Sequence, residues 1–265
     1  MSKTEQAITM WTEGDYSVVE SWIASASRAV LDPLDFEGQP TMLDVACGMG
    51  TVAIEAARRG ATVTGVDLTP KMLDEARRRA DRAGVTVRWV EGSFDALAPL
   101  GSFDIVTSAF GVIFAADPKA VAEQLASVSR PGGRIVLTSW HDDGAFGGGV
   151  MDVIREITPG LPEGPAPERW SNAEALSTFF RETAVELKDQ QHREILLPFR
   201  SVTDAFREFL RHSGPWMQLM AYMDSVGKAD QARAAFEDYL TSHATPNDDG
   251  IRLRVSYVVS ALERR

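Results

Sequence analysis

The sequence predicts an α/β protein: a mostly parallel sheet with helices on both faces. Two observations lead there. From Thr41 to Trp140, strand-length apolar runs alternate with helix-periodic segments, the pattern of repeated βα units. At the first βα junction, "LDVACGMGTVAIEAA" joins a buried run to a helix through a glycine turn. Right-handed crossovers in such a sheet put the C-terminal ends of its parallel strands on one edge, where ligands bind.

Taken in order, the first forty residues read as helical, with Val19, Trp22, Ile23, Ala26 and Val30 on one apolar face. "DPLDFEGQP" ends that segment with two prolines and a glycine. Strand 41–46, helix 50–59, strand 62–67, helix 70–83, strand 85–91, strand 103–109, helix 118–129 and strand 133–140 follow. The pattern then loosens through glycine-rich "HDDGAFGGG", a short helix at 150–157 and proline-rich "TPGLPEGPAPERW". Helix 171–180, a long strand at 184–197, two or three helices in 202–242 and a closing strand at 251–262 complete the chain. The expected organisation is one domain over 1–265. Residues 1–40 form a helical cover, 41–140 the ligand-binding core, and 202–242 a helical insertion before the last strand.

Composition narrows the function. Of 265 residues, 44% are apolar and 25% charged, as in water-soluble globular proteins. No apolar run has the length of a membrane span, and "MSKTEQAITMW" lacks the core of a secretory signal. A single cysteine, Cys47, suits a reducing cytoplasm. A net charge of −11 repels phosphate backbones, which argues against nucleic acid and for a small neutral or cationic partner. Self-association into a homodimer is left open.

The glycine turn, Gly48-Met49-Gly50-Thr51-Val52-Ala53, matches G-x-G-x-x-G/A, by itself a weak dinucleotide signal. Asp67, ending the second strand, is placed for the hydroxyls of a ribose, which NAD and S-adenosylmethionine both carry. Asp44 discriminates between them. About 6 Å from a pyrophosphate charge it would cost roughly 3 kcal/mol at an effective dielectric near 20. Beside an amino-acid ammonium group the same carboxylate is stabilising. None of Tyr16, Tyr222, Tyr239 and Tyr257 begins the Tyr-x-x-x-Lys pair of many short-chain dehydrogenases, so an NAD(P) oxidoreductase is the weaker reading.

"LDVACGMG", "VTGVDLTPKMLDEA" and "SVSRPGGRIVLTSW", in this order, resemble the class I S-adenosylmethionine-dependent methyltransferases, closest to the bacterial small-molecule branch related to quinone-biosynthesis enzymes. The resemblance covers residues 10–140 well and the rest loosely. It implies a Rossmann-like seven-stranded sheet with an antiparallel last strand; the helical pattern of 202–242 then reads as an insertion between the last two strands, a candidate lid. By position it assigns Asp44, Gly48 and Gly50 to the methionine end of the cofactor, Asp67 to the ribose hydroxyls, and Leu68 and Met72 to the adenine, with Ala46, Ser93, Phe94 and Ala109 completing the cofactor-binding set. Family members usually carry Gly-Asp-Ala after the third strand; here "EGSFDAL" puts Ser93 in the aspartate's place, with Asp95 nearby.

Cys47 reads as a small buried residue in a crowded turn. His141, followed by Asp142 and Asp143, reads either as a general base or as part of a polar loop at a strand end. No metal-ligand spacing appears. The apolar "SAFGVIFAAD" carries Phe110 and Phe114 where such folds place the acceptor. Trp216, Met220 and Met223 share one helical face in "GPWMQLMAYMD", a stripe that suits either a lid over an apolar ligand or ordinary core packing. Tyr16, near Trp11, poses the same choice. The expected activity is methyl transfer to a small apolar or aromatic acceptor on O, N or C. Its rivals are quinone-type C-methylation and a protein that binds the cofactor without methylating.

Overall fold

A computed structural model describes residues 3–147, 149–159 and 166–265. Residues 160–165, in the middle of the proline-rich stretch, and Gly148 of the glycine-rich one lie outside the described residues. Two N-terminal helices, α1 (Lys3–Thr12) and α2 (Tyr16–Arg28), precede the sheet. As the spacing predicts, Val19, Ile23, Ala26 and Val30 are buried, while Trp22 is half-buried.

The alternating region follows as β1 (Thr41–Val45), α3 (Thr51–Arg58), β2 (Thr62–Asp67), α4 (Pro70–Ala83), β3 (Arg88–Glu91), β4 (Phe103–Ala109), α5 (Pro118–Val128) and β5 (Ser129–Trp140). Beyond it lie α6 (Gly149–Ile157), α7 (Ala173–Phe179), β6 (Val185–Phe199), α8 (Val202–His212), α9 (Gly214–Ser225), α10 (Ala229–Ser242), β7 (Ala244–Asn247) and β8 (Gly250–Arg264). Local chemistry sets several boundaries. Gly84, at φ 66°, caps α4 in the left-handed region and delays β3 to Arg88. Asp117 accepts from the amides of Lys119 and Ala120 to start α5, and Ser201 accepts from Asp204 to start α8.

The sheet order is β3-β2-β1-β4-β5-β8-β6. The pairs β1–β2, β1–β4, β2–β3 and β4–β5 are parallel, and the C-terminal strands are antiparallel. An eighth, short strand goes beyond the expected seven: β7 pairs back on β8 across Asp248–Asp249. The Asn247 side chain accepts from the Asp249 amide there, an Asx turn that makes the reversal local. Three helices, α8 to α10, lie in sequence between the long strands β6 and β8.

Two compact units are distinguished. The first comprises the described residues of Met1–Ile23, Trp140–Gly164 and Glu194–Ser256; the second those of Ala24–Ser139, Pro165–Arg193 and Tyr257–Arg265. In the first, Ile154 of α6, Met223 of α9 and Ala232 of α10 are fully buried together, with Ile157, Leu219, Met220 and Tyr222 packed against them. In the second, strands β1, β4 and β5 supply the central buried residues, among them Met42, Leu43, Val106, Ile135 and Val136. No described helix is long and apolar enough to cross a membrane.

Candidate cofactor and active site

The second unit builds one cluster from the C-terminal ends of β1, β2 and β4 and from the loop after β3. Parallel register explains the convergence: Asp44 lies opposite Gly65 of β2 on one side and Thr107 of β4 on the other. Its carboxylate is 1% exposed. One oxygen accepts from the Thr107 hydroxyl at 3.0 Å, and the other is buried with no hydrogen-bond partner. Burial raises the Asp44 pKa to about 7, opposed by the Thr107 hydrogen bond and by the dipole of the nearby Ala53 amide, with the charge of Asp67 adding to the rise.

After β1 the backbone turns through left-handed conformations at Ala46 (φ 53°), Gly48 (φ 53°) and Gly50 (φ 83°). Asp67 fastens the turn: its two oxygens accept from the Gly48 amide at 2.8 Å and the Thr69 amide at 2.9 Å. Burial pushes its carboxyl upward, opposed by the amides of Gly48, Thr69 and Leu68. Both carboxylates therefore lie at the turn, Asp44 half-satisfied and Asp67 satisfied by backbone. Cys47 is half-buried beside them, its thiol pushed well above the ordinary range by burial, then by Asp44 and Asp67.

Trp89 is a participant that sequence reasoning missed. A Cβ added at Gly50 would lie 2.6 Å from its ring, and one at Gly65 2.7 Å. The indole fills the space that two glycines leave, so Gly50 serves packing as well as the open turn. The only advance signal was a tryptophan in a short strand. A Cβ at Gly111 would likewise collide with that of Ala46, so the loops after β1 and β4 meet closely. The Ser108 hydroxyl ties these loops, donating to the Val45 carbonyl at 2.8 Å and accepting from the Val112 amide at 3.2 Å.

Of the other cofactor candidates, Met72 is buried in α4, with its sulfur 3.9 Å from where a Cβ at Gly48 would stand. Leu68, Phe94 and Ala109 are half-buried at their strand ends. Ser93 donates to the exposed Asp95 carboxylate at 2.9 Å and accepts from the Asp95 amide at 3.1 Å. The loop thus closes on itself through the residue in the family's aspartate position.

Acceptor candidates divide between the two units. In the second, Phe110 (φ 55°) packs edge-on against Tyr257, with centroids 6.1 Å apart, and Phe114 is half-buried. Burial raises the Tyr257 phenol, opposed by Arg193, which hydrogen-bonds to it and pairs with Asp32. None of Tyr257, Arg193 and Asp32 was singled out from sequence, since they lie far apart along the chain. In the first unit, Tyr16 meets Trp11 edge-on at 5.7 Å. Trp216 meets Phe236 edge-on at 4.6 Å, and Met220 lies against the Ile154–Met223–Ala232 core. This is the packing role that a Met-rich stripe usually has.

His141 belongs to the first unit. Its Nδ1 lies 2.8 Å from an Asp143 oxygen, and the other Asp143 oxygen is 3.4 Å from Arg254. Burial works against the charged form of Asp143, but hydrogen bonds from His141 and Ser256, with the charges of His141 and Arg254, lower its pKa overall.

Residues 42–133 match a family model described as a methyltransferase domain. An uncharacterised protein of Mycobacterium bovis is 37% identical over 185 residues, 69% of this chain and 67% of that one. Demethylmenaquinone methyltransferase of Thermus thermophilus is 43% identical over 113 residues, 40% of this chain and 50% of that one. Nocamycin O-methyltransferase of Saccharothrix syringae is 39% identical over 118 residues, 42% of each. Among solved structures, a Bacillus halodurans protein assigned as a methyltransferase superposes with a TM-score of 0.60 at 19% identity, covering 90% of this chain and 98% of that one. Magnesium protoporphyrin IX methyltransferase of Synechocystis, with bound SAH, gives 0.55 at 16% identity, covering 98% and 93%. At such identities these two likenesses show the fold. The sequence relatives, the matched domain and the shared fold agree: the chain belongs to the class I S-adenosylmethionine-dependent methyltransferases, in the part of that family related to the quinone-biosynthesis enzymes.

Proposed function

We propose that this chain methylates a small, mainly apolar or aromatic metabolite, as a tailoring step of secondary metabolism in the cytoplasm. The observation that carries the cofactor side is the unpartnered oxygen of Asp44. A buried acceptor without a partner costs about 1–3 kcal/mol, and an ammonium group placed there relieves that cost and favours the ionised acid. The residues therefore fit S-adenosylmethionine. They fit a dinucleotide poorly, because two buried acids flank the turn where its phosphates would lie.

In this reading the cofactor supplies an electrophilic methyl group on a sulfonium, and the chain supplies position. Asp44, Ala46, Gly48, Gly50 and Ala109 hold the methionine side. Asp67 keeps acceptor capacity beyond the two amides it already binds, enough for ribose hydroxyls. Leu68, Met72, Ser93 and Phe94 flank the adenine. In the second unit Phe110 and Phe114 offer the acceptor an apolar surface; in the first, Tyr16, Trp216 and Met220 are further acceptor candidates, the latter two on the α8–α10 block read as a lid. With Nδ1 donating to Asp143, Nε2 of His141 is the atom that would take a proton from the acceptor's hydroxyl or amine. Similarity to nocamycin O-methyltransferase supports a tailoring substrate.

Calorimetry tests the cofactor step. Adenosylhomocysteine should bind in the micromolar range, about 8 kcal/mol, with no measurable NAD or NADP binding; tighter NADP binding would overturn the reading. Mass spectrometry of reactions with a panel of phenolic and polyketide acceptors tests the acceptor class. Carbon methylation of a quinone is the second reading, favoured by the demethylmenaquinone methyltransferase similarity. NMR of the product distinguishes C-methyl from O-methyl.

A further inference from the structure

On the second unit, a hollow of about 320 Å³ lies beside α3. Thr51, Ile54, Glu55 and Arg58 line it from one face of α3, at helical spacing. Arg79, Arg82 and Ala83 from the end of α4 and Arg28 from the end of α2 complete it. Four guanidinium groups and one carboxylate therefore face a single space, in a chain whose net charge is −11.

Ion pairing leaves most of that positive charge available. Glu55 is paired with Arg59, which does not line the hollow, at 3.1 Å. Among the described residues Arg28 and Arg58 have no carboxylate partner. Arg79 and Arg82 share Glu75 at 3.2 and 2.8 Å. That carboxylate fixes their direction, and the Arg82 fork has further N–H groups beyond the one that meets it. An arginine in the last turn of a helix has an ordinary explanation, since it offsets the negative end by about 0.3–1 kcal/mol. This accounts for Arg28, Arg58 and Arg82 each on its own helix. It does not account for their meeting around one hollow, where like charges repel.

We propose that this hollow binds a small phosphorylated anion, about the size of a pyrophosphate group, through Arg28, Arg58 and Arg82, with Arg79 lining its wall. Guanidinium forks match phosphate oxygens in pairs, and a multiply charged anion offsets several of them at once, which a monocarboxylate does not. The site shares no residue with the proposed cofactor cradle. It adjoins that cradle, since Arg79 Nη2 lies 3.5 Å from the sulfur of Met49 in the glycine turn. The cradle itself, with Asp44 and Asp67, offers an anion nothing.

Inorganic pyrophosphate titrated calorimetrically into the full chain, in about 0.15 M NaCl, should occupy one saturable site with a Kd below about 1 mM. Arg28→Gln combined with Arg58→Gln should weaken it by about tenfold or more; both side chains are exposed, so the melting temperature should hold. A control pair, Lys119→Gln with Arg181→Gln, removes the same charge from the same unit outside the hollow. It should change the affinity less than about twofold. Absence of saturable binding to the unaltered chain, or equal weakening by the two pairs, overturns the proposal.

Discussion

Asp44 gains only half of its hydrogen bonding from the fold, and its titration should report that. Its folded pKa of about 7 lies above the ordinary value of 3.8. Between those values the unfolded chain has released a proton that the folded chain keeps, so stability falls as pH rises from about 4 to about 7. Asp67, shifted in the same direction, adds to the slope. Thermal unfolding of the ligand-free protein across this window should show a decline, and Asp44→Asn should flatten it measurably. A cationic ligand group reverses the preference. Adenosylhomocysteine should therefore bind about tenfold more weakly at pH 6 than at pH 8, the scale of one pKa unit. If Asp44→Asn keeps the same pH dependence of affinity, the carboxylate does not meet the ammonium. For His141, Asp143→Ala should lower kcat about tenfold with KM little changed. An unaltered kcat would return His141 to the status of a polar loop residue.

At the scale of elements, the glycine turn and Trp89 form one packing device. Gly50 combines φ 83° with a Cβ position 2.6 Å from the indole, whereas Gly65 has the close approach alone, at 2.7 Å. Gly50→Ala should cost about 2–4 kcal/mol, part from the left-handed backbone and part from the collision. In a Trp89→Leu background the further cost of Gly50→Ala should drop to the backbone share of about 1–2 kcal/mol. Gly65→Ala in that background should lose the indole share of its cost and keep only that of the close Cys47 sulfur, 3.0 Å away. Urea titration of the three single and two double variants separates the terms, and a Gly65→Ala cost that ignores Trp89 would contradict this account. The α9 stripe follows the same reasoning: Met223, fully buried with Ile154 and Ala232, should cost about 2–5 kcal/mol of stability as Met223→Ala.

For the whole molecule, the division into two units sorts the proposed roles. Every residue proposed for the cofactor lies in the second unit, while Tyr16, His141, Trp216 and Met220 lie in the first. Met220→Ala should therefore leave adenosylhomocysteine affinity unchanged. If the stripe also serves the acceptor, the acceptor's KM should rise about tenfold, the scale of one buried apolar side chain. Steady-state kinetics beside a melting curve decides. A large drop in melting temperature with unchanged KM makes Met220 a packing residue only.

The βα alternation, the glycine turn, the acids at 44 and 67 and the helical block before the last strand were legible in the sequence, because each is written within a few residues. Apolar periodicity and turn chemistry act at that range. Other features needed the folded chain. The second oxygen of Asp44 is without a partner only because β2 and β4 enclose β1. Trp89 reaches Gly50 and Gly65 by strand pairing and packing, and Asp32 and Arg193 meet although 161 positions apart. The Met stripe is equally compatible with a lid and a core until its neighbours from α6 and α10 are known. Such contacts depend on register and on which surfaces meet, and these are set jointly by distant segments through burial and packing density. No local pattern in the chain carries that information.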